Sequence, residues 1–160
     1  MLGAYSREQV ALGGGTFIGL TSSTTRSDMI FSVLEGITYS QSERFPYLRS
    51  KFGPIERLSA VGGGAKSDLW LQVKADALGS PVARMQNLEA GCLGAAMLAG
   101  VGSGIYSNIE EAQQSFCTAD AVFEPNDARF EYHQRKSSAL QRYKSLLNEG
   151  NFETKQLNLL

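Results

Sequence analysis

Ser59-Ala60-Val61-Gly62-Gly63-Gly64-Ala65-Lys66-Ser67 is the stretch on which the fold turns. Arg57 to Val61 reads as a short strand that stops abruptly in three glycines. Beyond them Trp70, Val73, Ala77 and Leu78 fall on one helical face, with Lys74 and Asp76 on the other. The pattern is strand, glycine turn, helix. Such a turn leaves the first N–H groups of the helix unpaired. With the positive end of the helix dipole, those groups attract a phosphate or the polar edge of a ligand. Glycines let a ligand approach the backbone with no Cβ in the way. A bare tight connection between strand and helix fits the same residues, and the local pattern leaves both readings open. Two better-known phosphate motifs do not fit. A P-loop needs glycine directly before Lys66-Ser67 and at position 60, where Ala65 and Ala60 stand. A dinucleotide fingerprint counted from Gly62 needs glycine where Ser67 stands.

Working outward, Gly79-Ser80-Pro81 ends the helix and Pro81 to Met85 reads as a second strand. Upstream, Gly13-Gly14-Gly15 leads into a strand over Thr16 to Leu20, followed by a Thr/Ser-rich loop from Thr21 to Thr25. Met29, Ile30, Val33, Leu34 and Ile37 recur at helical spacing, so a helix is expected from about Ser27 to Ser42, capped by Ser27 or Asp28. Phe45-Pro46 breaks or bends it, and Phe52-Gly53-Pro54 is a turn. Downstream, Ala90 to Val101 is small and apolar, and can be a helix if its backbone packs closely on a neighbour. Ser107-Asn108-Ile109-Glu110 has capping-box spacing and opens a short helix through Phe116. Glu124-Pro125-Asn126 is a break. Phe130, Leu140, Tyr143 and Leu147 then trace a stripe on a terminal helix. Strands alternating with helices give an α/β layer structure. Residues 1–14 read as a ragged lead, 15–150 as one nucleotide-binding domain, and 151–160 as a frayed tail.

Composition narrows the function. The 160 residues include 17 glycines, with 15 basic and 16 acidic residues and a net charge of -1. No basic stripe is present, which argues against a nucleic-acid partner. No apolar run approaches the roughly 18 residues of a membrane span, and no signal-peptide pattern opens the chain, so no membrane and a cytoplasmic location are expected. Cys92, Cys117 and the single His133 make no zinc spacing and no disulfide framework. Cys92, among Leu93, Ala95, Ala96 and Met97, reads as a small core residue. His133 has no Ser or Cys partner that the sequence assigns to it.

Three segments together resemble a known family. Gly62 to Gln72, followed by Ala75-Asp76 and Pro81-Val82, is similar to the adenosine-side motif of FGGY carbohydrate kinases. Gly15-Thr16-Phe17-Ile18-Gly19-Leu20, seven residues, then Asp28 to Glu35 fits the family's C-terminal signature position by position. Glu89 to Ala99 is the third match, and the Tyr132 to Leu147 helix suits the family less specifically. The motif sequence looks most like xylulokinase and its near relatives.

This resemblance implies an actin-like ATPase fold built from two RNase-H-like domains, of which this chain is the C-terminal half. ATP with Mg2+ would bind in the cleft, and a sugar or polyol hydroxyl would attack the γ-phosphate, a reaction that depends on positioning and charge neutralisation. By match, Gly62, Gly63 and Gly64 would line the α-phosphate and ribose side, and Ser67 would lie near the adenine. The first phosphate loop, the sugar pocket and the catalytic aspartate belong in the family to the part that would precede Gly15. No catalytic residue and no metal ligand are therefore assigned here, and the chain alone is expected to be inactive. Glu35, at the last signature position, sits on a long helix and reads as a hydrogen-bonded structural acid rather than a base, as does Asp76. Lys66 reads as solvated and Trp70 as a core residue. Two other readings stay open: a non-catalytic actin-like nucleotide-binding module, and a subunit that docks on a separate N-terminal half or on a second copy as a homodimer.

Overall fold

A computed structural model of the chain describes residues 2–4 and 16–149, with side chains over 16–145. The expected glycine lead at 13–15, most of the ragged start, the tail at 151–160 and the side chain of Leu147 lie outside the described residues. Two compact units emerge, one from the residues up to Gly53 together with the last helix, the other from Pro54–Asn126.

In the first unit, strand β1 (Leu2–Ala4) pairs antiparallel with β2 (Thr16–Ile18), with Gly3 opposite Phe17. Helix α1 (Arg26–Ser42) follows. Its cap is Thr25, not Ser27 or Asp28: the Thr25 side chain accepts from the Asp28 N–H, and Asp28 returns a bond to the Thr25 N–H. Asp28 is thus the far end of a capping box, which satisfies two orphan donors at once. The buried face of α1 also differs from the apolar stripe. Ile30 is 55% exposed, whereas Ser32, Glu35, Gly36, Thr38 and Tyr39 are buried. These polar groups tolerate burial because they are bonded: the Ser32 and Thr38 hydroxyls donate to the carbonyls of Met29 and Leu34. Pro46 breaks the chain only briefly, since a second helix, α2 (Phe45–Phe52), starts there with proline in its first turn, where no N–H is needed. The unit closes with α6 (Asp127–Glu149), whose buried side is His133, Ser137 and Leu140; Tyr143, expected on that stripe, is exposed.

In the second unit, β3 (Leu58–Ala60) runs parallel to β4 (Val82–Met85), and β4 pairs antiparallel with β5 (Ala119–Phe123), in the order β3-β4-β5. β5 carries no sequence signal strong enough to have been expected. Helix α3 (Asp68–Leu78) crosses from β3 to β4, and Ala65, Leu71, Ala75 and Val82 form the core beneath it. Gly79, in the left-handed conformation, ends α3 as expected. Two further helices, α4 (Ala90–Gly102) and α5 (Ile109–Phe116), precede β5. The α5 cap is Asn108, one residue later than the expected Ser107; the carboxylate that reaches back to the Ser107 N–H is that of Glu111. α4 departs furthest from expectation. Only Gly100 is buried, Cys92 is exposed, and a Cβ at Gly91 or Gly94 would meet nothing. Within this unit Gly91 and Gly94 are therefore not set by close packing, whereas Gly100 is, since a Cβ there would come within 2.8 Å of the Tyr106 ring.

Candidate functional site at the glycine turn

β3 and β4 run side by side with Ala60 opposite Arg84, so the glycine turn and the end of β4 share the carboxyl edge of the parallel pair. That edge is where ligands bind in open α/β sheets. Gly62 leaves β3 with φ 78 and ψ -172, a region essentially closed to residues with a Cβ. Its N–H donates to the Leu88 carbonyl at 2.9 Å, and its carbonyl accepts from the Ala65 N–H at 3.1 Å. The chain does not pass straight from glycines into α3. Gly63–Lys66 form a 3-10 turn, Ser67 caps, and α3 begins at Asp68. The first N–H groups of that turn, on Gly63 and Gly64, lie ahead of its first internal bond. Gly63 has open space where a Cβ would stand, while Ala65 is buried in the core and pins the turn from below.

The four residues expected at the site, Gly62, Gly63, Gly64 and Ser67, are thus gathered in one turn and its cap. Their individual surroundings differ. A Cβ on Gly64 would come within 2.8 Å of the Trp70 indole, a contact the sequence did not suggest. Ser67 Oγ accepts the Trp70 N–H at 3.2 Å, which leaves its hydroxyl proton free to donate. Trp70 itself is half-buried rather than core, with Lys74 Nζ 4.3 Å from its ring centroid. Burial pushes the Lys74 ammonium below its ordinary value. Asp76, expected on the outer face, is instead buried; it accepts from Gln72 Nε2 and from the Asn126 N–H. It is a structural acid, as the helix position suggested. Lys66 is exposed.

Sequence reasoning also missed Arg84. Its guanidinium bonds to Asp68 at the start of α3 and to Asp120 on β5. Those two hydrogen bonds, Asp120 first, raise its pKa further. Finding it required the β4–β5 register, since Arg84 lies opposite Ala121 and beside Asp120.

Glu35 belongs to a different constellation, between α1 and α6. It is 1% exposed, accepts from Tyr39 Oη at 3.2 Å and from Lys136 Nζ, and lies 3.6 Å from His133 Nδ1. His133 Nδ1 is 2.7 Å from Tyr39 Oη, so the histidine does have a partner, a phenol. Burial, then the nearby Glu35 charge, pushes the Tyr39 phenol well above its ordinary value. Burial is the largest single influence on Lys136 and lowers its pKa, but the hydrogen bonds and charges of Glu35 and Tyr132 together outweigh it and the net shift is upward. Among the described residues no group of three or more His, Cys, Asp or Glu could hold a metal ion, and no helix is long and apolar enough to cross a membrane.

Comparison with known proteins identifies the family. The profile of the FGGY family of carbohydrate kinases, C-terminal domain, matches residues 9–103. Xylulose kinase of Staphylococcus epidermidis is 36% identical over 121 residues, 76% of this chain and 24% of that protein. The ligand-bound xylulose kinase of Lactobacillus acidophilus superposes with a TM-score of 0.74 at 28% identity, over 84% of this chain and 27% of that one. Glycerol kinase of Plasmodium falciparum, solved with ADP, superposes with a TM-score of 0.68 at 26% identity, covering 80% and 26%. The chain belongs to the FGGY family of carbohydrate kinases and corresponds to its C-terminal domain, with the actin-like ATPase fold of that family. It spans about a quarter of the length of the relatives it matches.

Proposed function

We propose that this chain supplies the ATP-binding, adenosine side of a carbohydrate kinase that transfers the γ-phosphate of ATP to a sugar or polyol hydroxyl, xylulose being the favoured class. The observation that carries the reading is the turn at the end of β3, where Gly62 takes a glycine-only conformation and Gly63 stands open, its N–H and that of Gly64 lying ahead of the turn's first internal bond. A cradle of N–H donors without side chains suits a nucleotide's α-phosphate and ribose. Gly62, Gly63 and Gly64 would hold that part, and the Ser67 hydroxyl would face the adenine. When bound, ATP supplies the phosphoryl group and its Mg2+ neutralises charge on the phosphates. The chain's own contribution is to orient the nucleotide. Because no base or sugar pocket is assigned to these residues, the chain alone turns over no substrate.

Fluorescence of Trp70, the only tryptophan and three residues past Ser67, tests the reading. Titration of the 160-residue chain with ADP or ATP is expected to give saturable quenching that GTP does not compete away, and Gly63→Val is expected to abolish it. No response to either nucleotide would contradict an autonomous site. The second reading, an actin-like module that binds nucleotide or docks on a kinase partner without catalysis, draws on the exposed apolar residues of the Pro54–Asn126 unit, Leu98 at 67% and Ile105 at 72%. It is favoured if nucleotide binds but no addition of a kinase N-terminal part yields transfer.

A further inference from the structure

The three consecutive glycines are glycine for three different reasons. Gly62 is required by its positive φ, and Gly63 stands in open space. Only Gly64 meets a side chain, and that side chain is the Trp70 indole. Bonds hold the turn at its two ends, from Gly62 N–H to Leu88 and from Ala65 N–H to Gly62. Between them the indole lies against the Cβ side of Gly64, where an added methyl would come within 2.8 Å of the ring. The helix start that carries the indole is held by the Trp70 main-chain N–H, which donates to Ser67 Oγ, and Lys74, one helical turn on, places Nζ 4.3 Å from the ring centroid. A lysine kept partly out of water over an aromatic face adds attraction to the stack.

We propose that Trp70 is a positioning residue, which fixes the main chain of the glycine turn in its ligand-receptive shape through contact at Gly64. The inference deepens the nucleotide reading of the turn and rests on it for the identity of the ligand, a nucleoside di- or triphosphate. A turn held in shape before the ligand arrives loses little freedom on binding, which is how pre-organisation raises affinity. The absence of a Cβ at Gly64 is thereby required by the indole whether or not a nucleotide is bound, whereas at Gly63 the fold itself leaves open space.

The test uses the full chain with Trp70→Leu, Trp70→Phe, Gly64→Ala and the double variant Gly64→Ala/Trp70→Leu. Native-state hydrogen exchange is read at the bonded amides of Gly62 and Ala65 and at β4, and ADP affinity by calorimetry. Trp70→Leu is expected to speed exchange at Gly62 and Ala65 about tenfold while β4 is unchanged, and to weaken ADP about tenfold. Trp70→Phe should recover most of both. Gly64→Ala should loosen the turn beside tryptophan but add nothing in the double variant, since the clash is gone. Unchanged exchange in Trp70→Leu, or strictly additive effects in the double variant, would overturn the proposal. If Trp70→Leu loosens every amide together, Gly64→Ala alone decides, local loosening supporting the inference and none overturning it. Should the unaltered chain take up no ADP, the nucleotide reading fails, while the exchange results still decide the role of Trp70.

Discussion

Lys136 on α6 donates a hydrogen bond to the buried carboxylate of Glu35 on α1, across a gap of 101 residues. The contact explains why an acid sits at the close of the family signature in the middle of a packed helix. Glu35 also accepts from Tyr39, and Tyr39 meets His133, so four polar side chains join the two helices. Nothing in this arrangement leaves Glu35 free to take a proton from a substrate.

Replacing Lys136 should therefore act on stability. Lys136→Met leaves a nearly inaccessible carboxylate without its half-buried cation but with its bond from Tyr39, which costs on the order of 2 kcal/mol, less than for a fully buried pair. The urea midpoint should fall accordingly. A change of only about 0.5 kcal/mol, the size for a solvent-screened surface pair, would contradict the account.

Alkaline pH should weaken the same junction. The pKa values of Tyr39 and Lys136 are raised in the folded state, so between the unfolded and folded values the native state binds more protons. Their contribution is complete below about pH 10 and is lost as pH rises beyond it. Denaturant midpoints at pH 8 and pH 10.5 measure this. Tyr39→Phe is expected to be less stable at pH 8 and to fall less steeply; an equal slope in both proteins would count against it.

Much of the fold was legible because its signals are local. The extents of α1, α3, α5 and β4 follow from apolar spacing, caps and Gly-Ser-Pro punctuation. Non-local matters were not legible. β5 has an unremarkable composition and exists because β4 offers it an edge, and Arg84 acquires its partners only through that register. The α1 face was misjudged because Ser32, Thr38 and Tyr39 look polar, yet their bonds to α6 or to their own backbone make burial tolerable, while Glu35 is the hydrogen-bonded acid that its helix position suggested. At the turn, the glycines announced an unusual backbone, but the contact between Gly64 and Trp70 needed coordinates.

Gly62→Ala tests the backbone conformation at the end of β3. Holding a Cβ at φ 78 with extended ψ costs on the order of 1–3 kcal/mol, with open space around it and so no added clash. Thermal or urea unfolding measures the loss. An alanine as stable as glycine would mean that the turn has another accessible shape.

Ser67→Ala removes the α3 cap. The Trp70 N–H loses its acceptor, and a loss of about 1 kcal/mol is expected. Ser67→Asp, which keeps an acceptor at the cap, should retain that stability yet weaken ADP through charge repulsion. If both variants lost stability equally, the capping role would be wrong.

The most direct measurement is an ADP titration of the 15N-labelled chain followed by amide shifts. The account predicts that Gly62, Gly63 and Gly64 move along one saturation curve, with Ser67 and Trp70 following the same curve. Shifts confined to residues away from this turn, or none at saturating ADP, would contradict it.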